Sequence, residues 1–191
     1  MKHNKAIVEG IILAAGFSRR AGVWKMALPI KGRTVIEMSI MGMYPVVDRI
    51  IVVGGYNFKN LLKIIEKYEK ALPVYNENFP LGMFTSIQKG VEKVSGDRFF
   101  ILPGDIPLVR PSTYKYMLEQ KGDIIVPVYE GRKGHPVLLS YAMKELLLDE
   151  ERDSNLKAFI NRMGFKEVIV DDPFIRMDID TLEDYWNLTS G

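Results

Sequence analysis

Short runs of Val, Ile and Leu recur along this chain with longer segments of helical period between them, and that alternation limits the fold more than any other feature. Residues 10–14 (Gly-Ile-Ile-Leu-Ala), 49–53, 72–75 and 98–102 are such runs. A strand covered on both faces loses its polar alternation, so the first run reads as a buried strand. Thr34-Val35-Ile36-Glu37 opens a helix, with Thr34 as N-cap and Glu37 closing a capping box. Residues 57–70, 82–94 and 111–120 read as further helices, the last with Pro111 suited to a first turn. Residues 123–128, 136–140, 166–170 and 174–178 predict later strands, and 181–188 a closing helix. The pattern predicts an α/β fold: a mostly parallel central sheet flanked by helices, with a mixed edge where the later strands crowd together. Right-handed crossovers follow. No repeat, low-complexity tract or linker divides residues 1–191, so a single domain is expected.

A chain of 191 residues can enclose one full α/β core and would be cramped by two. Twenty-six basic residues against 24 acidic ones leave a net charge of +2, which argues against a general nucleic-acid binder. The absence of cysteine excludes disulfides and thiolate metal sites. No apolar run approaches the ~20 residues of a membrane helix. The basic, then apolar start raises a signal peptide, but Glu9 interrupts the run and a Gly/Ser/Arg loop follows it. The reading is a first strand in a cytoplasmic protein, with neither nucleic acid nor membrane as partner.

Ligands of an open α/β sheet sit at the carboxyl ends of its strands, so the loops after residues 13, 53, 75, 102 and 128 hold the candidate site. The first runs Leu13-Ala14-Ala15-Gly16-Phe17-Ser18-Arg19-Arg20-Ala21-Gly22-Val23-Trp24-Lys25. Ala14, Ala15 and Gly16 carry almost no side chain, so an anionic ligand can lie against bare backbone N–H groups. Arg20 and Lys25 add fixed positive charge suited to phosphate. The spacing is neither a P-loop nor the dinucleotide G-x-G-x-x-G. A tight turn with solvated arginines is the plainer alternative.

That segment resembles the L-A-A/G-G-x-S-x-R-M-G-x-x-K signature of the MobA-like nucleotidyltransferases, and within them the molybdenum cofactor cytidylyltransferases. Ser18, Arg20, Gly22 and Lys25 fall on the pattern and Leu28-Pro29 continue it, while Ala21 stands where the family usually has methionine. Further stretches agree in order: residues 78–86, with Gly82, Met83 and Ser86; Pro103-Gly104-Asp105-Ile106-Pro107-Leu108-Val109; Gly131-Arg132-Lys133-Gly134-His135-Pro136-Val137; and Asp178-Ile179-Asp180-Thr181-Leu182-Glu183-Asp184-Tyr185. The resemblance implies a single-domain Rossmann-like nucleotidyltransferase fold. It also implies CTP as nucleotide, since alanine at position 15 tends to accompany CTP and glycine GTP. The implied acceptor is the terminal phosphate of molybdopterin or its molybdenum-bound form, and a transient contact with an enzyme that receives the product follows.

Asp105 follows a strand and a Pro-Gly break, which places it at the carboxyl edge of the sheet; an Asx-turn would explain it without a ligand. Beside a triphosphate it would serve as a magnesium ligand. The resemblance draws the second ligand from the last segment, with Asp180 favoured and Asp178 close behind. Asp180-Thr181-Leu182-Glu183 equally suits an N-cap with a capping box. His135, one of two histidines, has no partner for a zinc site. With Arg132 it reads as acceptor-binding, or else His135 only pins its loop.

The expected reaction is attack of the acceptor's phosphate oxygen on the α-phosphate, with pyrophosphate leaving. Arg20, Lys25 and Asp105 would carry the catalysis. Residues 13–16, Ser18, Gly54, Gly82 and Ser86 would bind the nucleotide. A transferase for a small alcohol or sugar phosphate and a nucleotide-binding regulator without turnover are the alternatives.

Overall fold

The computed structural model describes residues 6–189. Strand β1 (Val8–Ala14) leads into the first loop, and a small antiparallel hairpin of β2 (Pro29–Ile30) and β3 (Arg33–Thr34) follows. Helix α1 (Val35–Met43) starts on the expected capping box: Glu37 N–H donates to Thr34 Oγ1 at 3.4 Å, and the Glu37 carboxylate accepts from Thr34 N–H at 2.7 Å. Next come β4 (Arg49–Gly54), α2 (Phe58–Ile65), β5 (Ala71–Tyr75), α3 (Met83–Val91) and β6 (Arg98–Pro103). The second half holds α4 (Pro111–Leu118), β7 (Ile124–Tyr129), β8 (Arg132–Lys133), β9 (Val137–Ser140), α5 (Met143–Leu148), α6 (Leu156–Met163), β10 (Lys166–Ile169) and α7 (Leu182–Thr189).

The main sheet runs β10-β7-β9-β6-β1-β4-β5, with β8 hairpinned onto β7. β6, β1, β4 and β5 are parallel, β9 runs antiparallel to both β6 and β7, and β10 is again parallel to β7. The mostly parallel sheet with a mixed edge thus matches the strand spacing. Both faces are covered. Ile12, Val52 and Phe100 join a core with α1, α2 and α4, while Ile11, Ile51 and Phe99 join another with α3, α5 and α6. This two-sided burial is why the central strands read as continuous apolar runs.

Two expectations are corrected. Residues 174–178 are no strand: Pro173–Arg176 form a 3-10 turn. Buried Asp172 accepts from Phe174 N–H at 3.1 Å and from Arg110 N–H at 2.9 Å, and Pro173 has no N–H for a ladder. Helix α2 stops at Ile65 instead of running to residue 70. Lys70 Nζ is drawn to the carbonyls of Tyr44 and Val47, both at 2.8 Å, and Tyr68 O–H donates to Glu37 at 3.0 Å, which pulls the chain out of helical register. Among the described residues no helix is long and apolar enough to cross a membrane.

Candidate active site

Parallel pairing aligns the carboxyl ends of three strands, with Ala14 opposite Gly54 and Leu13 opposite Pro103. Because β9 is antiparallel, with Val137 opposite Ile101, it is the amino end of β9 that reaches this edge, and His135 arrives there. The cleft so formed has a main volume of about 570 Å³. Leu13, Ala14, Gly16, Ser18, Arg20 and Lys25 reach it from the first loop. Asp105, His135, Asp178 and Asp180 reach it from the far side.

The first loop is held open by its backbone. Ser18 and Gly22 take left-handed conformations, at φ 56° and 70°, around a 3-10 turn at Arg19–Ala21. Ser18 Oγ then accepts from Lys25 N–H at 3.2 Å. This turns Lys25 inward, where its buried ammonium needs anionic partners. It finds two: Asp105 Oδ2 at 2.8 Å and Asp180 Oδ1 at 3.4 Å. Arg20 Nη1 meets the other oxygen of Asp180 at 2.5 Å. Two carboxylates and two cations thus neutralise one another at the mouth of the loop. Ile179 N–H donates to the Asp105 carbonyl at 2.9 Å, which fixes the last segment beside Asp105.

Asp180 is not the cap of α7. The capping box sits one residue later, with Thr181 N–H and Oγ1 donating to Asp184 Oδ2, both at 2.7 Å, and Asp184 N–H returning to Thr181 Oγ1 at 3.1 Å. The Asp180 carboxylate is therefore left to the cleft. Partial burial, then the charges of Asp180 and Asp105, push the Asp178 carboxyl above its ordinary range, with Lys25 opposing. Among the described residues no group of three or more His, Asp or Glu side chains closes into a metal cage.

His135 is fixed by its backbone, donating to the Ile175 carbonyl at 2.7 Å. Gly134 permits this approach, since a Cβ there would lie 2.4 Å from the same oxygen. The Nδ1 of His135 is buried and has no hydrogen-bond partner. Burial lowers its pKa to about 4 against the opposing charge of Asp105, so the ring is neutral at pH 7.

A side compartment of about 390 Å³ lies between the first loop and the start of α3, lined by Ala15, Gly16, Ser18, Gly82 and Ser86. Buried Asn76 donates to both Thr85 Oγ1 and Ser86 Oγ at 2.9 Å. Ser86 Oγ thus receives one proton and keeps its own for a ligand. Asn76 went unnoticed in the sequence, where a polar residue directly after an apolar strand was its only signal.

Two residues named from the sequence stand apart from these walls. Gly54 lies under α2, where a Cβ would come within 2.5 Å of Leu61 and Phe58, so its smallness serves packing. Arg132 lies on β8 opposite Tyr129 while its neighbour Lys133 lines the cleft, because adjacent strand residues face opposite ways. Arg19 and Arg176, not singled out beforehand, also line the cleft.

Residues 10–168 match the family described as the MobA-like NTP transferase domain. The molybdenum cofactor cytidylyltransferase of Escherichia coli (strain K12) is 28% identical over 179 residues, covering 93% of each chain. A probable molybdenum cofactor guanylyltransferase of Bacillus cereus (strain B4264) is 30% identical over 190 residues, covering 92% of each. A solved nucleotidyl transferase from Methanothermobacter thermautotroptrophicus superposes with a TM-score of 0.83 at 22% identity, covering 96% of both chains. The match spans most of the chain, including the first loop, Asp105 and His135 of the cleft, and shows more than a shared fold: the chain belongs to the MobA-like NTP transferase family, a nucleotidyltransferase related to molybdenum cofactor cytidylyl- and guanylyltransferases.

Proposed function

We propose that this nucleotidyltransferase moves CMP from CTP onto the phosphate of a molybdopterin-type acceptor, with magnesium as its metal. The observation that carries the reading is the Lys25 ammonium held between Asp105 and Asp180 at the mouth of the first loop. The same oxygens that already share one cation are hard donors of the kind magnesium accepts alongside substrate phosphate and water. Asp105 and Asp180 would hold it, with Asp178 adjacent. Bound there, magnesium would neutralise charge on the triphosphate.

The chain's own residues supply the rest. Backbone at Ala14, Ala15 and Gly16 accommodates the phosphates, and Ser86 offers a hydroxyl proton to the base. When the triphosphate enters, Arg20 and Lys25 exchange carboxylate oxygens for β- and γ-phosphate oxygens. An acceptor phosphate oxygen then attacks the α-phosphorus, the bond to the bridging oxygen breaks, and pyrophosphate leaves on those two cations. An ionised phosphate needs no general base, so positioning and charge dominate the rate. Neutral His135 faces the acceptor side and can accept a hydrogen bond without adding charge.

Relatives of both cytidylyl and guanylyl type share comparable identity with this chain. Ala15 favours CTP. Pyrophosphate release with magnesium, molybdopterin and CTP, GTP or ATP in competition tests this. CTP should be used at least about tenfold better than the others, a difference of ~1.4 kcal/mol. A tenfold preference for GTP or ATP would overturn the choice of donor.

A further inference from the structure

Behind the compartment between the first loop and α3, buried side-chain protons have fixed destinations, with one exception. Asn76 follows the last residue of β5 and is 1% exposed. Its N–H donates to the Gly54 carbonyl at 2.9 Å, which carries the β4–β5 ladder one residue further. Its Oδ1 accepts from Asn78 N–H at 3.0 Å, and that bond identifies the oxygen end of the amide. The two Nδ2 protons therefore face α3, reaching Thr85 Oγ1 and Ser86 Oγ, each at 2.9 Å. Thr85 Oγ1 directs its own proton to the carbonyls of Asn78 and Gly82, at 3.0 and 2.9 Å, so toward Asn76 it can only accept. The amide has one orientation that satisfies all of these partners.

Ser86 is the exception. With an Asn76 proton aimed at its oxygen, the Ser86 O–H cannot point back at Asn76, and no other described residue accepts it. Ser86 is 2% exposed and lines the compartment beside Phe79 and Gly82. A free hydroxyl rotates to suit either a donor or an acceptor on its ligand. This one has its polarity set from behind. A ligand donor placed against it would leave a buried O–H unpaired, whereas a ligand acceptor completes the set.

We infer that Asn76 is a positioning residue that separates the two pyrimidines: by holding Ser86 as a donor it admits a base with an unprotonated ring nitrogen, as at N3 of cytosine, and rejects uracil, whose N3 carries a proton. This rests on the CTP reading above and deepens it. The small side chain of Ala15 cannot tell apart two bases of the same size, but a fixed hydroxyl can, because uracil N3–H and Ser86 O–H would meet as two donors. Asn76→Asp has nearly the same shape and still accepts from Asn78 N–H. Its second oxygen cannot donate, so it draws the Ser86 proton inward and turns a lone pair toward the base.

The test is calorimetric titration with magnesium and CTP, UTP or 3-deaza-CTP, in which a C–H replaces the N3 acceptor. Wild type should bind CTP at least about tenfold more tightly than either of the others. Ser86→Ala should bring CTP down to their level. Asn76→Asp should invert the order and bind UTP more tightly than CTP, which a merely structural role for Asn76 would not do, since it would weaken all three alike. Asn76→Ser is too short to reach Ser86 and should shrink the CTP preference to that of Ser86→Ala, which keeps the test open if Asn76→Asp does not fold. The inference is overturned if wild type binds CTP and UTP alike, if the preference survives Ser86→Ala, or if the Asn76 variants leave the ratios unchanged. Wild type that binds none of the three would instead overturn the transfer reading itself.

Discussion

Two pairs of acidic residues in this protein are built in opposite ways. Glu9 and Glu37 are only 2% and 5% exposed, and besides one cation each, Arg49 and Lys67, they accept from groups that cannot leave. Glu9 accepts from the N–H groups of Ser95 and Gly96 at 2.7 and 2.8 Å, and Glu37 from Thr34 N–H and Tyr68 O–H. Asp105 and Asp180, at the sheet edge, have side chains 22% and 29% exposed. Their side-chain partners are an ammonium and a guanidinium on flexible stems. A carboxylate that keeps fixed donors even when its cation swings away contributes to folding and little else. One held by mobile cations can exchange them for other cations, while those cations turn to phosphate. The difference separates scaffold from site more cleanly than burial or charge alone.

The largest effect should come from breaking the second pair. Asp105→Asn should remove at least about nine-tenths of turnover, a loss above ~1.4 kcal/mol in the transition state, with little change in melting temperature. Retention of more than a tenth of the activity in a pyrophosphate-release assay would mean that Asp105 is not the principal metal ligand.

Glu37→Gln should show the reverse, losing about 1–3 kcal/mol of stability in urea titrations while kinetic constants stay near wild type. Burial alone would raise the Glu37 carboxyl, but Lys67, Thr34 and Tyr68 outweigh it and hold its pKa at about 2. The folded state thus binds this proton more weakly than the unfolded chain does. The stabilisation is fully present above the unfolded value of 4.5 and is lost as pH falls toward 2. The wild-type stability curve should steepen in that window, and the variant's should be flatter there.

Smaller effects should come from the exchangeable cations. Lys25→Ala should weaken CTP binding more than CMP binding, by roughly 1 kcal/mol, since its charge is assigned to the outer phosphates. Arg20→Ala should act in the same direction but less, because its side chain is 72% exposed and screened by solvent. Equal losses for the two nucleotides in calorimetry would mean these charges act elsewhere.

Much of the architecture was legible because buried parallel strands keep nearly unbroken runs of Val and Ile, and because Thr34 and Glu37 admit one capping register. The last segment was harder. In Asp180-Thr181-Leu182-Glu183-Asp184 two boxes of the same spacing are possible, and the side chains chose Thr181 with Asp184. Residues 174–178 looked extended until Asp172 and Pro173 imposed a turn. The first loop's small residues and cations advertised its position from the sequence, as did Asp105. Arg176 and Asn76 did not, since Arg176 reaches the cleft only through loop docking and buried Asn76 acts through its hydrogen bond to Ser86. Choosing Lys133 over Arg132 required knowing which face of a two-residue strand meets the cleft.

The central claim is that Asp105 and Asp180 give up their internal cations for a divalent one when the triphosphate arrives. Manganese binding followed by electron paramagnetic resonance, with and without CTP, tests it without turnover. Wild type should bind manganese weakly alone and at least about tenfold more tightly with CTP. Lys25→Ala should bind it more tightly than wild type when CTP is absent, Asp105→Asn should lose the CTP-dependent gain, and Glu37→Gln should behave as wild type. Manganese affinity that is the same with and without CTP, and indifferent to Asp105→Asn, would contradict the account.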